Sequence, residues 1–229
     1  AQTFDQDISN WDVSSGTNFS HMFHHAYSFN SNIGKWDVSS GTNFNETFNY
    51  AMKFNQDIGN WDVSSVSTAA LMFKQATSFN QNISDWDVSS IVDFSEMFSS
   101  ATSFNQDISN WDVSSGINFS SMFNHAYLFN SNISNWDVSS GINFSSMFNN
   151  AQMFNQDIRI WEVSSEANFD LIFSGAFAMN SSYGTANTPD ISFFNLNNDD
   201  ENKPAPKEYT TIESEGNITL VKDQDNFGY

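Results

Sequence analysis

The sequence predicts a repeat solenoid of the α/β type: about seven coils of 25 residues, each with a short strand and a short helix. Three observations lead there. The segment FNQDISNWDVSS at 104–115 recurs in near copies that begin at Phe4, Phe29, Phe54, Phe79, Phe129 and Phe154. The seven tryptophans, Trp11, Trp36, Trp61, Trp86, Trp111, Trp136 and Trp161, lie 25 residues apart with no insertion or deletion between them. Of 24 phenylalanines, twenty fall at three fixed positions of the unit. A fixed period of this length is the signature of a repeat architecture.

The two elements of a coil follow from two spacings. Ile8, Trp11 and Val13, with their equivalents further on, have the apolar-x-x-apolar-x-apolar spacing of a short strand entering a core. Ten residues later Phe19, Phe23 and Ala26 fall at i, i+4 and i+7, one face of a short helix. The residue before that face is Asn18, Asn43, Thr68, Asp93, Asn118, Asn143 or Asn168, each a favoured helix N-cap. Glu46 and Glu96, three residues after their caps, add capping-box partners in two coils.

A single unit of this kind cannot bury its own apolar stripe, so stacking is compulsory. At about 4.8 Å per coil, seven coils make a face roughly 34 Å long. Burying one aromatic side chain is worth about 4–6 kcal/mol before entropy is counted, so the Trp and Phe columns dominate stability.

Composition excludes several functions. Seven Lys and Arg against 27 Asp and Glu give a net charge of −20, which repels phosphate backbones and anionic membranes, so nucleic acid is not an expected partner. No apolar run approaches the roughly 18 residues of a bilayer span, so no membrane insertion is expected in this segment. The absence of cysteine removes disulfides and thiolate metal sites. Ala1-Gln2-Thr3-Phe4 matches Ala101-Thr102-Ser103-Phe104, so the chain is expected to begin within a repeat, as a fragment or processed product. Serines are abundant, but no nucleophile elbow, phosphate loop or isolated acid–base pair interrupts the array, and no catalytic residue is assigned.

The unit FNQDISNWDVSS followed by NFSSMFNNA resembles the BspA-type leucine-rich repeat of bacterial surface proteins, over about residues 1–182. That resemblance implies a leucine-rich-repeat-like solenoid in an extracellular or cell-surface protein, commonly tied to adhesion, with no catalytic machinery. Two columns depart from it. Where the family has an apolar residue after the two serines, only Val66 and Ile91 comply, and Gly16, Gly41, Gly116, Gly141 and Glu166 do not. The usual Met of the helix face is Phe19 and its equivalents, or Ala69 in the third coil. Volume lost at one position is expected to be refilled at the other.

Three polar columns are candidate sites. Asn10, Lys35, Asn60, Asp85, Asn110 and Asn135 lie between core residues of the predicted strand and form a polar ladder for a partner. Asp12, Asp37, Asp62, Asp87, Asp112 and Asp137 form an acidic column in which stacked carboxylates about 5 Å apart repel. Either calcium is shared between coils there, or each Asp bonds its own Val-Ser-Ser turn. Calcium is the one cofactor this leaves open; no other is expected. In a third column Asp7, Asn32, Asp57, Asn82, Asp107, Asn132 and Asp157 alternate strictly. Electrostatic relief or duplication of longer blocks explains this equally well. Asn30 and its equivalents are expected to form a buried amide ladder. His21, His24 and His25 resemble a helical zinc pair at i, i+4, but no carboxylate at ligand spacing on that face completes a site, and they are read as surface histidines.

The expected organisation is a solenoid over 1–182, a C-terminal capping segment over 183–196, a linker over 197–207, and a small hairpin or further module over 208–229. The functional expectation is a non-enzymatic, extracellular, adhesion-type module, its partner a surface protein or glycan. The alternative is a structural spacer or self-associating subunit of a surface filament or phage or virus fibre.

Overall fold

The structure is a computed structural model in which residues 2–195, 209–214 and 217–222 are described. The coils stack in register with the 25-residue period. Asn18, Asn43, Thr68, Asp93, Asn118, Asn143 and Asn168 are joined in sequence by single parallel backbone bridges, one per step.

The strand-plus-helix, leucine-rich-repeat-like coil expected from sequence is not what the chain forms. Among the described residues up to Ala176 there is neither an extended strand nor a helix, and each coil is a succession of turns. The fifth coil shows why. The amides of Met122, Asn124 and Ala126 donate locally to the carbonyls of Phe119, Ser121 and Phe123, at 3.0–3.2 Å. The intervening amides of Phe119, Ser121, Phe123 and His125 donate instead to Asn143, Ser145, Met147 and Asn149 of the next coil, at 2.8–2.9 Å. An α-helix would commit all of these donors to carbonyls four residues back. Ser121 (φ 54°) and His125 (φ 56°) are left-handed, a conformation no right-handed helix contains, and the same two positions are left-handed in every coil from the first to the sixth. The apolar spacing thus marks an inward face, as expected, but on a backbone of turns. The caps differ accordingly: Asn118 Oδ1 accepts from the amide of Ser120 two residues on, an Asx turn, and no helix follows.

The predicted strand segment fails for a related reason. Its backbone closes tight turns, as in Trp111 N–H to the Ile108 carbonyl at 3.2 Å. Side chains supply the links between coils. The indole Nε1–H of Trp36, Trp61, Trp86, Trp111, Trp136 and Trp161 donates to the carbonyl of Ile8, Ile33, Ile58, Ile83, Ile108 and Ile133, at 3.0–3.1 Å. The amide of Asn55 donates to Asn30 Oδ1 at 2.9 Å, and Asn80, Asn105, Asn130 and Asn155 repeat this step. That amide ladder is half-buried to exposed, not buried as expected.

The core is one continuous aromatic stack. Phe98 lies 4.0 Å from Phe104, at the start of the following unit, and 5.7 Å from its own equivalent Phe123, ring centroid to centroid, and both pairs are near parallel. Trp86, Trp111 and Trp136 follow at 6.5 Å with interplanar angles of 2–3°. Trp36 to Trp161 are at most 5 % exposed, whereas Trp11 is 54 % exposed. The glycine column explains the departures in packing. A Cβ on Gly116 would meet Phe119 Cζ at 2.3 Å, and on Gly141 would meet Phe144 Cζ at 2.3 Å, so the ring occupies the space an apolar side chain would take. In the third coil the relation is reversed, with Val66 buried and Ala69 in the ring position.

Helix α1 (Phe177–Tyr183) ends at Gly184, whose left-handed φ of 64° terminates it. Within the expected capping segment, Ile191–Phe193 form a 3-10 turn. After that turn Phe194, buried, stacks on Phe169 at 4.4 Å, and Asn195 bonds Trp161 and Val163. Phe194 stands 25 residues after Phe169, so it supplies the next ring of that column. Strands β1 (Tyr209–Ser214) and β2 (Asn217–Lys222) pair antiparallel. The expected linker at 197–207 and, within the expected hairpin or further module, residues 208, 215–216 and 223–229 lie outside the described residues. No helix among the described residues is long and apolar enough to cross a membrane.

Candidate functional site

The polar ladder is placed by the turns that carry the tryptophans. Asn10, Lys35, Asn60, Asp85, Asn110 and Asn135 each precede a Trp, and all six are exposed at equivalent positions of successive coils. Inward indoles on one side of the turn force these neighbours outward. The first two, with Asp7, Ser9, Ser31 and Asn32, line a shallow depression of about 310 Å³.

The acidic column lies beside it. In all six coils the Asp Oδ1 accepts from the amide and the hydroxyl of the Ser two residues on, at 3.0–3.1 and 2.6–2.7 Å. The serine hydroxyl, and then its backbone N–H, hold Asp12, Asp37, Asp62 and Asp112 below the ordinary carboxylate value. Asp12 and Asp62 push Asp37 the other way, a smaller effect. Each carboxylate is thus tied to its own turn. The alternating column behaves in the same way: Asp107 Oδ1 accepts from Ser109 N–H, and Asn82 Oδ1 from Ser84 N–H. Both side chains can fill this role because both present a carbonyl-type oxygen.

At the far end Asp157 pairs with the buried Arg159 at 2.9 Å. The guanidinium of Arg159 also lies 4.7 Å over the Tyr183 ring. Burial, more than the nearby Asp157, pushes the Tyr183 hydroxyl up to about 12, and that hydroxyl donates to the Asn155 carbonyl.

The histidines do not form the helical set that their spacing resembles. His25 is turned away: it stacks on Tyr50 at 4.6 Å, and its Nδ1 is 2.8 Å from the Tyr27 hydroxyl. His21 and His24 instead converge on Glu46 of the second coil, with His21 Nε2 to Oε1 and His24 Nδ1 to Oε2 both at 3.2 Å. Glu46 is therefore not a capping-box residue. The available signal was the period itself, because position 46 is position 21 moved on by one coil. Asn49 Nδ2 donates to Glu46 Oε2 at 2.9 Å, while Asn49 Oδ1 is buried without a hydrogen-bond partner. An orphaned acceptor costs about 1–3 kcal/mol, so the amide is oriented to serve the carboxylate at the expense of its own oxygen. Among the described residues, His21, His24 and Glu46 are the one set of three His, Asp or Glu ligand atoms within 4.8 Å of one another. Burial holds the His24 imidazole below its ordinary value, and the neighbouring His25 adds to this.

Coils stacked in register, cross-linked by indoles and amides, with polar columns outside, define a repeat protein. The chain matches the family described as "Mycoplasma protein of unknown function, DUF285" twice, over residues 1–93 and 71–188, and it belongs to that family. No curated protein and no solved structure matches the chain.

Proposed function

We propose that the chain is a non-enzymatic, adhesion-type interaction module of a BspA-like extracellular or cell-surface protein, with a surface protein or glycan as partner. One observation carries this reading: the six exposed residues Asn10, Lys35, Asn60, Asp85, Asn110 and Asn135 stand at equivalent positions on consecutive coils of a cross-linked stack. Such a row offers a repetitive partner the same polar contact at every step and needs no ordering on binding. A repeated contact of modest strength gains through effective concentration. The net charge of −20 favours cationic or neutral partners over phosphate-rich ones.

The test is a glycan and surface-protein array probed with the wild-type chain and the Asn60→Ala/Asp85→Ala variant. Hits that the variant loses, while its unfolding midpoint stays unchanged, support the reading. Open-ended growth in a light-scattering concentration series, with no array hits, would favour a spacer or filament subunit.

A further inference from the structure

We propose that His21, His24 and Glu46 form a Zn²⁺ site that joins the first coil to the second, with two nitrogen ligands from one coil and a carboxylate oxygen from the next. The three side chains converge within reach of one ion. Tetrahedral zinc with bonds of about 2.0–2.1 Å sets its ligand atoms roughly 3.3 Å apart. One carboxylate oxygen, Oε1, stands 3.2 Å from His21 Nε2, and the other, Oε2, stands 3.2 Å from His24 Nδ1, so a small rotation of the carboxylate brings a single oxygen to both nitrogens. All three ligand atoms lie within 4.8 Å of one another.

The support around them is also in place. Asn49 Nδ2 holds Glu46 Oε2, the kind of outer contact that orients a ligating carboxylate. The His24 ring is stacked on His25 at 4.3 Å, and His25 in turn on Tyr50. The amides of His21 and Glu46 are fixed to the following coils at 3.0 and 2.9 Å.

A second pair of coils shows what the position favours. In the third and fourth coils, at the columns of His24 and Glu46, Lys74 is ion-paired with Glu96. A positive charge thus sits between coils beside this carboxylate column. In the first pair of coils the lysine is replaced by an imidazole, and a second imidazole stands at position 21. A divalent cation would supply the missing charge. Two imidazoles and one carboxylate suit Zn²⁺ and not the oxygen-only preference of Ca²⁺ or Mg²⁺. The fourth position opens toward solvent on the side of His21, which is exposed.

The experiment is calorimetric titration of ZnCl₂ into the full chain in chelator-free buffer, beside His24→Ala, Glu46→Gln, Asn49→Ala and His125→Ala. One Zn²⁺ per chain is expected. Affinity should fall at least tenfold in His24→Ala and Glu46→Gln, about tenfold in Asn49→Ala, and not at all in His125→Ala. CaCl₂ should give no one-site heat. The zinc-free melting curve of Glu46→Gln, recorded beside that of the wild type, shows that the variant is folded when its zinc binding is measured. A Co²⁺-loaded sample should show the intense visible bands of a tetrahedral site, absent in Glu46→Gln. No one-site binding of Zn²⁺ to the wild type, or equal binding by wild type and Glu46→Gln, would overturn the proposal.

Discussion

The indole Nε1–H of Trp111 donates to the carbonyl oxygen of Ile83, 28 residues earlier, at 3.0 Å. The same oxygen accepts the backbone N–H of Trp86 at 3.2 Å, so both its lone pairs are used, one within the coil and one between coils. Trp111→Phe keeps most of the ring but removes the inter-coil bond. We expect a loss of about 1–2 kcal/mol, read as a lower urea midpoint with an unchanged slope. Trp111→Ala should cost about 3–5 kcal/mol, because a cavity opens in the middle of the stack.

Glycine stands before a ring in four coils and Val66 before Ala69 in the third, although the fourth coil buries both Ile91 and Phe94. Gly116→Val drives a side chain into the Phe119 ring and should cost about 1–3 kcal/mol by overpacking. Adding Phe119→Ala reproduces the Val66/Ala69 arrangement of the third coil and should recover part of that loss. A double-mutant cycle in urea measures the coupling, and simple additivity of the two changes would refute an exchange of volume between the two positions.

Leu171 is left-handed with φ 56° and half its side chain in solvent. Leu171→Gly removes a steric cost of about 1–2 kcal/mol while giving up backbone entropy, for a net gain of about 0.5–1 kcal/mol. Leu171→Ala keeps the cost and should not stabilise. Thermal melts of the two variants decide this.

The acidic column makes stability depend on pH. Asp12, Asp37, Asp62 and Asp112 are depressed below 3.8 in the folded chain by their serine bonds. Depressed carboxylates contribute stability that is present above the unfolded value and lost as pH falls through the folded one. The urea midpoint should therefore decline as pH falls below about 3.8. Asp62→Asn, which retains the turn acceptor without a titrating group, should flatten the decline. An unchanged profile would show that these turns do not couple to folding.

The period, the inward faces and the in-register tryptophans were legible in the sequence because burial repeats with the chain. The backbone was not. Phe119, Phe123 and Ala126 have helical spacing, yet their turns run through left-handed Ser121 and His125, where no glycine marks the conformation. Nothing local in the sequence announces that alternate amides bond the next coil. Phe194 was legible only by counting 25 from Phe169, and Glu46 only by counting 25 from His21. Contacts between coils obey the period, whereas motif spacing looks along the chain.

The six indoles from Trp36 to Trp161 are bonded between coils, and Trp11 is exposed. Hydrogen exchange of the seven indole N–H signals, followed by NMR, reads this difference residue by residue. Six slowly exchanging signals and one fast signal, assigned to Trp11, are expected. Seven signals exchanging at similar rates would contradict the in-register stack.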